Sequence, residues 1–281
     1  MESLRKAEGP VLLVDCGAVF DTEPDKAGVL LAAMGQMGYD ALNIGGPELQ
    51  FGTEFLAAQR GGAVPFVASN LLSGDRPAGV QEYLLTEVGG IRIAILGVVG
   101  PEDLSQLPNR EPGKDLRLVP PETALARLLP EVREKAELVV LLSRRGAEQT
   151  RELVQRVRGV DVAISSGDDD AFYSGATDGT VHQTGAQGKS MGMLKIRLDE
   201  NGGARVIESR KVLLDQSVPD DARVARLVEG FKRTEAQRAA GRETRKEREL
   251  MQGLRLSPDE FMERYRQEGS AGNPGAMVKR D

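Results

Sequence analysis

The chain has 281 residues, with 37 Lys and Arg against 43 Asp and Glu and a net charge of −6. That length supports one sizeable core with an appendage, and the acidic balance argues against a nucleic-acid-binding face. One cysteine (Cys16) and one histidine (His182) exclude an internal disulfide framework and a Cys/His structural zinc site, and leave almost no imidazole for catalysis.

Residues 11–14 are an apolar run ending in Asp15-Cys16-Gly17, the pattern of a buried parallel strand. Apolar residues at 29, 30, 33, 34 and 37 predict a helix over 25–38. A short strand over 40–44 runs into the loop signal Gly45-Gly46-Pro47. A helix is expected over 53–60 and a strand over 66–70. Runs 83–88 and 91–99 flank Gly89-Gly90, the mark of a β-hairpin. Residues 100–120 read as a long irregular loop. A helix with proline at its start is expected over 121–134, a strand over 138–142, a helix over 147–156 and a strand over 160–164. The stretch 165–179 is small, acidic and turn-rich. Runs 180–184, 192–198 and 204–213 look like antiparallel strands.

From Pro219 the composition shifts. Val224, Leu227, Val228 and Phe231 keep helical spacing, which predicts a helix docked on the core. Residues 232–249 are almost wholly charged and polar. Ser257-Pro258-Asp259-Glu260 carries an N-cap, a proline at the first helical position and acids in the first turn, so a short helix to about 267 is expected. Residues 269–281 have the composition of a disordered tail. No apolar run approaches the roughly 18 residues of a membrane span, and residues 1–10 lack a secretory apolar core.

Six segments then occur in a set order. They are Val14-Asp15-Cys16-Gly17-Ala18, Gly38-Tyr39-Asp40-Ala41-Leu42-Asn43-Ile44-Gly45-Gly46-Pro47-Glu48, Pro65-Phe66-Val67-Ala68-Ser69-Asn70-Leu71, Leu141-Leu142-Ser143-Arg144-Arg145-Gly146, Gly159-Val160-Asp161-Val162-Ala163-Ile164-Ser165-Ser166-Gly167-Asp168 and Gly185-Ala186-Gln187-Gly188-Lys189-Ser190-Met191-Gly192. Together they resemble the N-terminal domain of the 5'-nucleotidase and UDP-sugar hydrolase family of metallophosphoesterases. The resemblance covers residues 8–215 and implies a layered α-β-β-α sandwich, followed by a helical extension over 216–268 and the tail 269–281. In that family the motifs DxH, GD, GNHE, a Ser-His before a Gly, and GHxH supply ligands to a two-metal centre. Carried onto this chain, the GD aspartate falls on Ala18. The GNHE asparagine falls on Gly46 and its histidine on Pro47, while Glu48 is retained. The Ser-His histidine falls on Arg144, and GHxH falls, with one residue extra, on Gly167-Asp168-Asp169-Asp170. The DxH strand would lie before the first residue. A methyl group, a glycine, a proline and a guanidinium do not hold a divalent ion. The resemblance therefore implies a degenerate site with no metal and no other cofactor. The alternative is one divalent ion (Mn, Zn, Mg or Ca) among Asp15, Glu48 and Asp168, Asp169 and Asp170. The pattern also resembles a bacterial, often exported branch attached to multihaem cytochromes.

Each retained residue has a structural reading beside a functional one. Cys16 is a small buried hydrophobe, or a thiol at the mouth of the old site. Asp168, Asp169 and Asp170 are solvated, or bind a cation, with Asp168 and Asp170 the metal candidates. Arg144 and Arg145 pair with those acids in the old cavity, or bind an anion such as phosphate. Glu48 fixes a loop, and His182 is structural. Three functions are open: a non-catalytic binding module, a residual phosphoester hydrolase, and a redox-associated module docked on a multihaem cytochrome. The chain reads as cytoplasmic as given, and as periplasmic or exported with a leader upstream.

Overall fold

The computed structural model describes residues 2–59, 61–105, 107, 116–166, 180–185, 187–200, 202–254, 257, 259, 260, 262 and 263. The chain divides into two compact units, Met1–Ala225 and Arg226–Asp281.

The first unit opens with helix α1 (Glu2–Glu8) and strand β1 (Val14–Asp15), then helix α2 (Pro24–Met37) and strand β2 (Ala41–Asn43). Two short helices follow, α3 (Gly46–Leu49) and α4 (Gly52–Ala58), then strand β3 (Phe66–Val67). Strands β1, β2 and β3 form a parallel sheet in that order. Only two residues of the expected 11–14 strand and its extension join this ladder. Asp40 takes the place of a neighbouring strand at Leu13: its Oδ2 accepts the Leu13 N–H at 2.7 Å, and its own N–H donates to Leu13 O at 2.7 Å.

Next come β4 (Leu71–Ser73), β5 (Arg76–Pro77), β6 (Tyr83–Val88) and β7 (Ile91–Val98), then helix α5 (Pro101–Ser105) and strand β8 (Leu116–Leu118). The hairpin of β6 and β7 forms as expected, with Gly89 at φ 62° and Gly90 at φ 82°; both central residues are left-handed, as a type I′ turn demands. The expected loop over 100–120 is corrected in its described parts. It contains α5 and β8, and β8 joins β4 and β5 in a small antiparallel sheet of order β5-β4-β8. These strands are two or three residues long, too short to show a period in sequence.

Helix α6 (Pro121–Lys135), strand β9 (Leu138–Ser143), helix α7 (Ala147–Arg156), strand β10 (Val162–Ser166) and strand β11 (Val181–Thr184) complete a second sheet of order β11-β10-β9-β7-β6. Strand β11 corrects the expected antiparallel arrangement. It pairs with β10 in parallel, Ile164 opposite His182, and the connection between them is long enough for the crossover a parallel pair requires. The antiparallel pair that does form is β12 (Ser190–Leu198) with β13 (Ala204–Leu213), which carries a register shift at Lys195/Ile196.

Three apolar clusters define the layers. Leu42 and Phe66 of the first sheet, with Ile44 just beyond β2, pack with Met34, Leu49 and Leu56 of its helices. Ala94, Leu96, Val139, Leu141 and Ala163 of the second sheet pack with Leu125, Leu128, Val132 and Leu153 of α6 and α7. Between the sheets lie Ala41 and Val67 from one side and Ile93, Ile95, Leu138, Val140 and Leu142 from the other. Successive residues of β7 and β9 thus enter opposite clusters. Both faces are covered, which is why these strands read as continuous apolar runs rather than alternating ones. The architecture is the expected α-β-β-α sandwich.

Helix α8 (Ala222–Leu254) begins at the end of the first unit and runs on through the second, so the charged stretch 232–249 is helical. Further on, Ser257 caps as its sequence predicts: its Oγ accepts the Glu260 N–H at 3.3 Å, and Glu260 Oε2 accepts the Ser257 N–H at 2.8 Å. The tail 269–281 lies outside the described residues. No helix among the described residues is long and apolar enough to cross a membrane.

Candidate functional site

The C-terminal ends of β2, β7 and β9 meet. The Asn43 amide, at the end of β2, donates to Val98 O at 3.1 Å and to Leu142 O at 3.3 Å, tying one sheet to the other. Its Oδ1 is buried without a partner among the described residues, facing Gly97. Strand β1 with its loop and the loops leaving β2 and β9 carry most of the expected site residues.

Glu48 is fully buried in the third helix and holds two of those loops. Its Oε1 accepts the N–H groups of Val19 at 2.8 Å and Phe20 at 3.1 Å, and its Oε2 those of Ala18 at 2.9 Å and Gly45 at 2.8 Å. Burial pushes the carboxyl above its ordinary value, and the four N–H groups pull against that. Ala18 is held at φ 64°, a left-handed conformation that costs an alanine about 1–2 kcal/mol. The donation from Ala18 N to Glu48 keeps it there. Glu48 thus fixes loops, as its sequence context predicts.

Arg144 leaves the end of β9 half-buried and meets Asp103 of α5. Its Nη2 and Nε lie 3.2 and 3.3 Å from Asp103 Oδ1, and its Nη1 lies 3.5 Å from Gly17 O. Asp103 is buried, and its two oxygens also accept the N–H groups of Gly46 at 2.9 Å and Gly100 at 3.1 Å. Gly45 is where the elements crowd: a Cβ there would stand 2.9 Å from Ala18 N and 3.0 Å from Arg144 Nε. The partners expected for Arg144, namely Asp168, Asp169 and Asp170, lie outside the described residues. The described partner is Asp103, which the sequence pattern hides inside an expected loop. A signal is present there: Gly100-Pro101-Glu102-Asp103 has a proline at a helix start and acids in the first turn.

Asp15 and Cys16 complete the group. Asp15 Oδ1 accepts the Gly17 N–H at 2.9 Å. Burial raises its carboxyl, opposed by that N–H and by the Arg144 charge. Cys16 is buried and donates to Ile164 O at 3.2 Å. Burial, with the neighbouring Asp15 charge, pushes its thiol up to about 12, which leaves no thiolate near neutral pH. Pro47 follows Gly46 as the second residue of α3. Arg145 is fixed through its backbone: its N–H donates to Ser143 Oγ at 3.2 Å and its carbonyl accepts from Thr150 at 2.8 Å. His182 is buried on β11, away from these loops in the chain and at the opposite edge of its sheet from β6 and β7.

No family model matches the chain. It is 26% identical to human 5'-nucleotidase over 253 residues, which is 79% of this chain and 44% of that protein. Its identity to the bovine 5'-nucleotidase is 27% over 259 residues, 80% and 44% of the two chains. The chain thus spans less than half the length of these relatives. Its fold is that of the 5'-nucleotidase precursor from Thermus thermophilus (TM-score 0.69, 20% identity, 84% of this chain and 52% of that one). It is equally that of a calcineurin-like phosphoesterase from Bacillus subtilis (TM-score 0.66, 18% identity, 83% and 86%).

A two-metal centre needs oxygen and nitrogen donors free to coordinate. The described residues do not fit one. Glu48 gives both oxygens to four N–H groups, Asp103 gives its own to two N–H groups and a guanidinium, and Ala18, Gly46 and Pro47 offer no ligand side chain. No group of three His, Cys, Asp or Glu side chains suited to an ion occurs among the described residues. The sandwich and the relatives agree on the fold, which is that of the calcineurin-like phosphoesterases, and in sequence the chain is similar to 5'-nucleotidases at 26–27% identity.

Proposed function

We propose that this domain is catalytically silent and serves as a binding or interaction module on a phosphoesterase scaffold. One observation carries the reading: the Arg144 guanidinium sits paired with Asp103 between the loops that in this fold would face an ion, so a positive charge is already built into the chain. Phosphoester hydrolysis of the two-metal type needs a metal-activated water and a cationic clamp on the phosphate, and acids already saturated with N–H donors supply neither. The ligand of such a module is a protein partner, and a multihaem cytochrome is the specific case to try first.

The test equilibrates the purified chain with manganese, zinc or calcium and dialyses it. Stoichiometric retention of two ions sinks the proposal. The same preparations are assayed on 5'-AMP and bis-p-nitrophenyl phosphate. Metal-dependent turnover would instead establish the second reading, a residual phosphoester hydrolase. The likeness to 5'-nucleotidases speaks for that reading, as does Asp15, whose second oxygen takes no hydrogen bond among the described residues.

A further inference from the structure

The Arg144 guanidinium is surrounded by oxygens. Asp103 Oδ1 faces two of its nitrogens at 3.2 and 3.3 Å, Gly17 O faces the third at 3.5 Å, and the Asp15 carboxylate acts on it electrostatically. The Asp103 side chain is 6% exposed and that of Arg144 21% exposed, so the charge is compensated largely out of water. A carboxylate and a backbone carbonyl are oxygens of the donor class that hard cations take. The guanidinium fills that role through a covalent tether, and the tether makes its local concentration permanent.

We propose that Arg144 is the resident cation of an oxygen-lined niche formed by Asp103 and Gly17, and that it alone keeps a small hard cation out. This rests on the reading of the domain as metal-free. Removing one member of a buried pair leaves the other as an uncompensated charge, which is strongly destabilising. In an Arg144 variant the Asp103 carboxylate is in that position, so a cation entering the niche is rewarded by relief of that cost. Wild-type protein has no such deficit. Its stability is then indifferent to calcium or manganese.

The experiment measures Tm of the full chain in EDTA and in millimolar CaCl2 or MnCl2, for wild type, R144G, R144Q, R144K and R144Q/D103N. R144G opens the most space; R144Q keeps most of the side-chain volume and is the variant expected to fold without an ion. The expected result is a rise of about 5 °C with cation for R144G and R144Q, as for a ligand present well above its Kd. Wild type and R144K stay flat, and D103N abolishes the rise. A variant that folds only when a cation is added supports the proposal equally. R144Q flat in both salts overturns the proposal, as does a shift that survives D103N. A shift of equal size in wild type overturns it too, and removes the metal-free reading with it. Flat variants beside a flat wild type leave that reading standing.

Discussion

Replacing Glu48 isolates the device that holds the loop tips together. In Glu48→Gln the shape is kept but one oxygen becomes an NH2 group. Whichever way the amide turns, it meets two N–H donors with a donor: Ala18 and Gly45 on one side, or Val19 and Phe20 on the other. One donor of each pair is buried and one half-buried. An orphaned buried donor costs about 1–3 kcal/mol, and a half-buried one less, so the expected loss is about 2–4 kcal/mol. For a domain of this size that lowers Tm by roughly 5–15 °C. Glu48→Ala orphans all four and leaves a cavity, so it is expected to lose more than Glu48→Gln. Urea unfolding followed by far-UV circular dichroism reads both, with the midpoint and slope fitted together. A Glu48→Gln protein within about 0.5 kcal/mol of wild type would refute the reasoning, because water, and not the carboxylate, would then be satisfying the loop N–H groups.

Three other expectations follow from the same loops and the sheet interface. Asp15 has a folded carboxyl raised above its ordinary value of 3.8, so its contribution to stability is present below that value and is lost as pH rises through the folded one. Asp15→Asn, which keeps an acceptor for Gly17 N–H, should gain on wild type at pH 7.5 and lose that gain at about pH 3; a difference in urea midpoint that does not change with pH contradicts it. Gly97→Ala would set a Cβ 2.4 Å from Asn43 Oδ1 and 2.8 Å from Val67 O, and is expected to cost about 3 kcal/mol or more by overpacking between the sheets, read as a lower thermal midpoint. Cys16 should resist a thiol reagent such as dithionitrobenzoate at about pH 8 in the folded chain and react fully in concentrated guanidinium. Rapid labelling of the native protein would show that the thiol is neither buried nor raised to about 12.

Local pattern determined much of this protein. Unbroken apolar runs at 93–98 and 138–142 mark strands buried on both faces, Gly89-Gly90 marks the hairpin, and the spacing in 25–38 and 147–156 marks helices, because each such signal is written within a single element. The order of six short motifs carried the resemblance to 5'-nucleotidases and the fold it implies, and it singled out Asp15, Ala18, Glu48 and Arg144. What the tertiary structure decided is everything that depends on two distant segments meeting. The strands at 71–73, 76–77 and 116–118 exist because they pair with each other, and two or three residues have no period of their own. Val181–Thr184 is parallel to its neighbour because of where the crossover returns it, which its composition does not encode. The partner of Arg144 lies 41 residues away, on a one-turn helix, and Glu48 gathers N–H groups from a loop 30 residues upstream. A guanidinium or a carboxylate in sequence is only a charge. Whether it is solvated, paired or sealed between loops is settled by packing, since the free energy of a charge depends on what surrounds it more than on which residue bears it.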